Sequence, residues 1–402
     1  MKYWRGYLAA AIFAAITWAF VSFAKAHPVL IDMVYPYLSR LFTSSMAQWS
    51  GGTAACIWQV LLILGIGAVL ASVVLMIVLK WNPAQWLGWV LAAAFCVNMF
   101  TTVAYSLNAY ASPLADDIRL DISDYTVSEL NDATVYFRDK ANELGKKINR
   151  NGDGTPNMGT FEEMAAVAHK GFDVLTYDKA ISAFASKPAP VKKLTMAGLF
   201  TSKGDTGVTV TLTGESAVNP RVPAGAMPFA MCKELSHRIS IYSEPDANFA
   251  GFLACINHPE EKFQYSGYLM AYYYCYEALA SIPTSTAQDC ASKSRNGLEA
   301  VVQKDFDTVL KFYGEAKSTA NVQATAEITI PETSTSLISF SSYTDVADLF
   351  ASWYIQEFIV PLHKEENPEV EFDPYDENFV FPTEPAPPAT TEPPATTAPA
   401  AS

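Results

Sequence analysis

The chain has 402 residues, half of them hydrophobic, and a formal net charge of −14. Its mean hydropathy is +0.12, greasy for a soluble protein, so the apolar residues are to be sought in runs. An acidic balance of this size argues against a nucleic-acid partner and against docking on anionic lipid, since like charges repel.

The apolar residues gather at the N-terminus in three runs, Gly6 to Ala24, Ala54 to Leu79 and Trp86 to Leu107, none of which contains Lys, Arg, Asp or Glu. Each is about long enough to cross ~30 Å of hydrocarbon as a helix. Lys2 and Arg5 precede the first run, and Lys80 sits in the tight turn "KWNPAQ" between the second and third. Basic residues near span ends mark the cytoplasmic side, which predicts an outside loop from Lys25 to Gly52 and an extracytoplasmic chain after Leu107. Ala24-Lys25-Ala26 has the form of a signal-peptidase site, but the run before it is longer than a usual signal core. Cleaved or not, the downstream domain lies outside. The expected layout is a membrane domain over residues 1–108, an extracytoplasmic domain over 109–364 and a tail over 365–402. Localisation is therefore the cell membrane, multi-pass.

Beyond the spans, "LADDIRLDISDYTVSELNDATVYFRDKANELGKKINR" reads as helix, with apolar positions at three-to-four spacing from Ser128 onward. It stops at "NRNGDGTPN", where Asn149, Asn151, Asp153 and Gly154 imitate the start of a calcium loop. The twelfth position of such a loop is a bidentate Glu and here is Thr160, so an ordinary turn is the expected reading. A helix follows from Phe161 to Tyr177. "GVTVTLTG" alternates as a strand does. Four more helical stretches come after it: one around Phe229 to Ile241, "DANFAGFLACINH", the aromatic "YSGYLMAYYYCYEALASI", and a charged one from about Arg295 to Lys317. "SYTDVADLFASWYIQEFIV" reads as the last helix. The fold class is mainly α, with a small β element (α+β). Phe229, Leu235, Phe249, Phe252, Leu253 and the Tyr272–Tyr274 run are candidate core residues. "FPTEPAPPATTEPPATTAPAAS" is too rich in Pro and Thr to pack and is expected to be disordered.

Six cysteines divide into Cys56 and Cys96 in the spans and Cys232, Cys255, Cys275 and Cys290 beyond them. Outside the cell the last four could pair in three ways, and spacing does not choose among them. His27, His169, His258 and His363 show no ligand spacing and read as surface or core residues.

The chemistry concentrates in "MCKELSHRISIYSEPDANFAGF", Met231 to Phe252. A zincin helix reads His-Glu-x-x-His, and the same five positions here are Lys233, Glu234, Leu235, Ser236 and His237. On a helix Lys233, Glu234 and His237 share a face. In a working enzyme of that kind two histidines hold zinc and the Glu is the general base for a zinc-bound water. "SEPDANF" offers Glu244 and Asp246 downstream, and its Ser-x-x-acid pattern is also that of an ordinary helix start.

The stretch from Leu194 to Leu279 carries "TGESAVN", "MPF", "KELSH", "DANF" and "YSGYL" in that order, behind three spans. This resembles the bacterial multi-pass membrane family known as domain-of-unknown-function family 3810, whose members join three spans to an extracytoplasmic zincin-like domain. The resemblance implies Glu234 as the general-base position, His237 as a ligand position and Asp246, where the family has Glu, as the acidic ligand position. It also draws attention to Glu215, Glu244 and Asn248. Lys233 takes the place of the first ligand, and an ammonium has no lone pair to donate. The expectation is that Lys233 replaces the metal's charge, pairing with Glu234 and Asp246. That makes the chain a membrane-anchored pseudopeptidase, a zincin-like binding or scaffolding module that holds no cofactor. Its expected partners are the membrane and a peptide or envelope protein. Two alternatives stand beside it. One is an active zinc metallopeptidase using His237, Asp246 and a substitute such as Cys232 or Glu244. The other is a structural envelope protein.

Overall fold

The computed structural model describes residues 4–122, 124–175, 189–202, 204–320, 337–338 and 345–361. The expected tail, His363 and the C-terminal part of the helix expected to reach Tyr177 lie outside them. Four long helices come first: α1 (Arg5–Ala26), α2 (Pro28–Ser50), α3 (Ile57–Val78) and α4 (Pro83–Ala104). α1, α3 and α4 are long and apolar enough to cross a membrane, as their uncharged runs require. α1 packs along α4 through a point where side chains vanish. A Cβ on Gly6 would sit 2.4 Å from the backbone carbon of Gly88, so only glycine lets the two backbones meet.

α2 occupies the stretch expected to be a loop, Lys25 to Gly52. Its sequence hid it, because Asp32, Pro36, Arg40 and five hydroxyl residues break up the apolar run. α2 caps the end of α4: the Tyr35 hydroxyl lies 2.7 Å from the Val103 carbonyl, and Ser39 donates to the Ala104 carbonyl at 2.8 Å. Both carbonyls lack helical partners, and at the edge of a membrane an unsatisfied carbonyl is costly.

The rest is mostly helical: α5 (Val127–Lys147), α6 (Phe161–Val167), α7 (Lys170–Leu175), α8 (Met227–Arg238), α9 (Glu244–Ile256), α10 (Glu261–Ser281), α11 (Ser285–Asn296), α12 (Ala300–Ala320) and α13 (Val346–Tyr354). α5 starts at Val127, not Leu114, because Thr126 and Glu129 form a capping box there; Glu129 Oε2 accepts from the Thr126 amide at 2.6 Å. Residues 114–118 make only a single helical turn. The helix expected from Phe161 to Tyr177 is broken between α6 and α7. The charged helix expected from Arg295 starts at Ala300, and α11 precedes it. Thr160, the failed twelfth position of the calcium-like loop, caps α6 in a second box with Glu163. The loop itself is a turn in which the Asp153 carboxylate accepts from Thr155 and Lys304 donates to the Asp153 carbonyl.

A small sheet joins this helical body to α2 and α3. β1 (Lys192–Lys193) runs parallel to β3 (Glu215–Val218), and β2 (Gly207–Val210) pairs antiparallel with β3. Gly214 turns the chain from β2 into β3 at φ +66°, the left-handed region that costs other residues most. A Cβ there would meet the Ala47 amide of α2 at 2.1 Å, so the turn is pressed against α2 and has room only for glycine.

The core is aromatic. Phe137 of α5, Phe249 and Phe252 of α9, and Phe350 of α13 are fully buried, with Phe252 and Phe350 ring centres 5.0 Å apart and nearly perpendicular. Edge-to-face pairs of this kind add to the burial of the rings themselves. Phe229, Leu235, Leu253, Tyr272 and Tyr273 are also buried. All six cysteines are free thiols.

Candidate functional site

α8 carries Lys233, Glu234 and His237. Pro228 suits its first turn, where the missing amide is not needed. The orphan amide of Phe229 donates to Ser266 Oγ of α10 at 3.0 Å, which fixes the helix start. Two residues past the end of α8, Ser240 takes φ +75°, and the chain turns into α9, where Ser243 caps by accepting from the Asp246 amide. This tight left-handed corner folds the first turn of α9 back over the last turn of α8.

The result is a cluster of four polar side chains. Lys233 Nζ lies 2.8 Å from Glu244 Oε2 and 3.7 Å from Glu234 Oε1. The other Glu244 oxygen, Oε1, lies 3.2 Å from His237 Nε2. Glu244 thus bridges the cation to the histidine, and it does so from the surface, its side chain 65% exposed against 13% for Lys233.

Desolvation works against the Lys233 ammonium, but Glu234 and Glu244 outweigh it and hold the pKa above that of an ordinary lysine. Desolvation also opposes the Glu244 carboxylate. The His237 hydrogen bond and the Lys233 charge overcome it and keep Glu244 well below the usual carboxylate range. Lys233 and Glu244 are therefore both charged at neutral pH.

Glu234 is buried and clamped from the sheet. Thr209 Oγ1 of β2 lies 2.9 Å from Glu234 Oε2 and 2.8 Å from the Glu234 carbonyl, and its single hydrogen serves one at a time. Ser216 of β3 donates to that carbonyl at 2.9 Å. His237 Nδ1 lies 3.0 Å from the Ile241 carbonyl, which can only accept, so Nδ1 carries a hydrogen and Nε2 is the nitrogen turned to Glu244. Tyr105, the residue that ends α4, reaches the same point, its hydroxyl 3.2 Å from the Ile241 carbonyl and 3.5 Å from His237 Nδ1.

Asn248 works one turn along α9. Its Nδ2 donates to the Glu244 carbonyl at 2.8 Å, and its Oδ1 accepts from Tyr274 of α10 at 3.0 Å. It positions the turn that carries Glu244. Tyr274 thus turns its hydroxyl to the site, while Tyr272 and Tyr273 belong to the core.

Two expected site residues lie elsewhere. Asp246 was expected to face Lys233, but the acid that reaches Lys233 and His237 is Glu244, at the tip of the corner. Asp246, buried, instead lines a neighbouring cavity of about 710 Å³ together with Asp32, Arg40, Asp117, Ser240 and Ile241. Burial pushes the Asp117 carboxyl there up to about 6, with Asp32 adding to the shift and Arg40 opposing it. Glu215 lies under the sheet, away from the cluster. Its two oxygens accept from the first amides of α3, Ile57 at 2.7 Å and Trp58 at 2.8 Å, and Oε1 pairs with Lys192 Nζ at 2.6 Å. Cys232 is buried with its thiol 3.7 Å from the Ala168 carbonyl, on the far side of α8 from the cluster's face.

These residues do not fit a zinc ion. Zinc needs three or four converging lone pairs, and here an ammonium sits among the oxygens. Among the described residues no group of three or more His, Cys, Asp or Glu side chains is arranged to hold a metal.

A family model described as "Protein of unknown function (DUF3810)" matches residues 31–328. The chain belongs to the DUF3810 family. The match begins inside α2 and takes in α3, α4, the sheet and the whole cluster, so two of the three candidate membrane helices and the site fall within it, while α1 lies before it. Comparison with curated proteins and with solved structures returned no significant match.

Thr209, Ser216 and Tyr105 escaped sequence reading. The alternating threonines of "GVTVTLTG" mark one face of a strand but do not say what that face touches. Tyr105 stands 132 positions before His237, with no pattern linking the two.

Proposed function

We propose that this chain is a membrane-anchored pseudopeptidase, a zincin-like helix pair kept as a binding or scaffolding module after its metal chemistry was lost. The observation that carries the reading is the place of Lys233. Its ammonium stands within 2.8 Å of Glu244 and 3.7 Å of Glu234, with His237 on the other oxygen of Glu244. A fixed positive charge thus sits among the general-base, histidine and acidic positions that a zincin assembles around its zinc. The orientation of His237 supports the same history. Metal-binding histidines typically donate their second nitrogen to a carbonyl, as Nδ1 does here to Ile241. The basic residues Lys2, Arg5 and Lys80 favour an extracytoplasmic domain.

The exposed Glu244 also favours one form of the active reading, in which it serves as the substitute acidic ligand; Cys232 faces the wrong way for that role. Metal content separates the two. The full chain, purified in detergent with zinc supplied, is measured beside Lys233→His. The pseudopeptidase reading expects an empty wild type and about one zinc in the variant. One zinc per wild-type chain would overturn it and make peptidase assays the next step.

A further inference from the structure

α2 is built inside out. The side it turns to the protein is small and polar: Ser39, Thr43, Ser44, Ala47 and Ser50 are buried. The side it turns away is large and apolar: Val29 is 73% exposed, Met33 74%, Tyr37 67% and Trp49 67%, with Leu30, Leu38 and Leu41 about half exposed. The two charged residues of α2, Asp32 and Arg40, are both partly buried, and Arg40 reaches back to the domain. In water this arrangement is upside down, since burial of apolar surface is what holds an amphipathic helix to its protein. It is the arrangement expected of a helix whose outer face meets hydrocarbon.

We propose that α2 lies flat in the membrane–water interface on the domain's side of the bilayer, with Val29, Met33, Tyr37 and Leu41 against the lipid.

The path of the chain fixes the level. Only His27 separates the end of α1 from the start of α2, and Ala24, Ile31 and Leu107 pack together there, next to the exit of α4. Phe20 and Phe23, exposed near the end of α1, lead its lipid-facing surface directly into the α2 stripe. α2 cannot be a fourth span, because its middle and far end stay on the domain. Arg40 Nε donates to the Ile239 carbonyl at 3.0 Å, and Lys192 Nζ holds the Ser50 carbonyl at 2.8 Å. It therefore runs about 35 Å along the base of the domain at 1.5 Å per residue. Tyr37 and Trp49 are the residue types that settle at the headgroup level. The stripe's partner is the apolar part of the lipid, so an acidic protein needs no anionic lipid to seat it.

The test uses the full chain, with p-benzoylphenylalanine in place of Met33 or Tyr37, sparsely reconstituted in phosphatidylcholine liposomes. Met33 and Tyr37 stand exposed at the mouth of the cavity that Asp246 lines, so the probe displaces no buried side chain. Leu64 of α3 is the lipid-facing control and Glu299, exposed at the start of α12, the aqueous one. After illumination, mass spectrometry is expected to find phosphatidylcholine adducts at Met33 and Tyr37 about as abundant as at Leu64, and about tenfold above Glu299. Adducts to a second copy of the chain would overturn the proposal, making the stripe a protein interface. Lipid adducts no higher than at Glu299 would place it in water and overturn the proposal too.

Discussion

Two lysine–glutamate pairs lie on opposite sides of the small sheet. Lys192 and Glu215 are enclosed, with side chains 5% and 0% exposed, and every polar atom is used. Lys192 also donates to the Ser50 and Ala55 carbonyls, and Glu215 accepts two α3 amides. Lys233 and Glu244 form a lopsided pair, the lysine sheltered and the carboxylate in solvent. The same two residue types thus act as a joint in one place and as an open, charged surface in the other. What separates them is how many fixed partners surround the carboxylate. A joint has all its bonds made; a site keeps one side free for something else.

The contrast predicts unequal costs. Glu215→Ala strips the enclosed pair of its anion and uncaps α3, and should destabilise the chain by about 3–5 kcal/mol in chemical unfolding. Replacing both partners, Lys192→Met with Glu215→Met, should recover much of that loss, since no buried charge is left alone. If the single and double variants unfold alike, the pair is not the joint described here. Lys233→Met should cost less, about 2 kcal/mol, because Glu234 keeps its Thr209 contact and Glu244 can turn to water.

Glu244→Gln should cost under about 1 kcal/mol, as exposed ion pairs do. Its signature is pH. The folded-state pKa of Glu244 is depressed, so its contribution is present above the ordinary carboxylate pKa and is lost as pH falls through the lower folded value. Wild type and Glu244→Gln should therefore converge in stability under acid and separate near neutrality. An effect of the opposite sign is expected at Asp117, whose carboxyl burial raises to about 6. A raised acid makes the folded state the better proton binder, so stability falls as pH climbs from about 4 through 6. Asp117→Asn should melt with wild type at pH 4 and above it at pH 8.

How far the sequence could be read depended on how local each cause was. The three candidate spans were legible because about twenty uncharged residues in a row admit few other readings. α2 was not, since its Asp, Arg, Pro and hydroxyls dilute the apolar signal, and its exposed stripe makes sense only beside a membrane. On α8, spacing alone placed Lys233, Glu234 and His237 on one face. The choice between Glu244 and Asp246 turned on the left-handed corner at Ser240, which no pattern in "RISIYSEPD" announces. Glu215 stood out as a site residue through the resemblance, yet its partners are the α3 amides 157 and 158 positions earlier. Long-range contacts of that kind leave no periodic trace.

Glu215 and Ser216 are neighbours in one strand, and side chains of neighbours point to opposite faces. One face grips the first turn of a membrane helix; the other holds the carbonyl of Glu234. A single peptide unit is therefore the shortest wire between bilayer and cluster. The first turn of α3 and the seat of Glu234 thus share that one peptide unit.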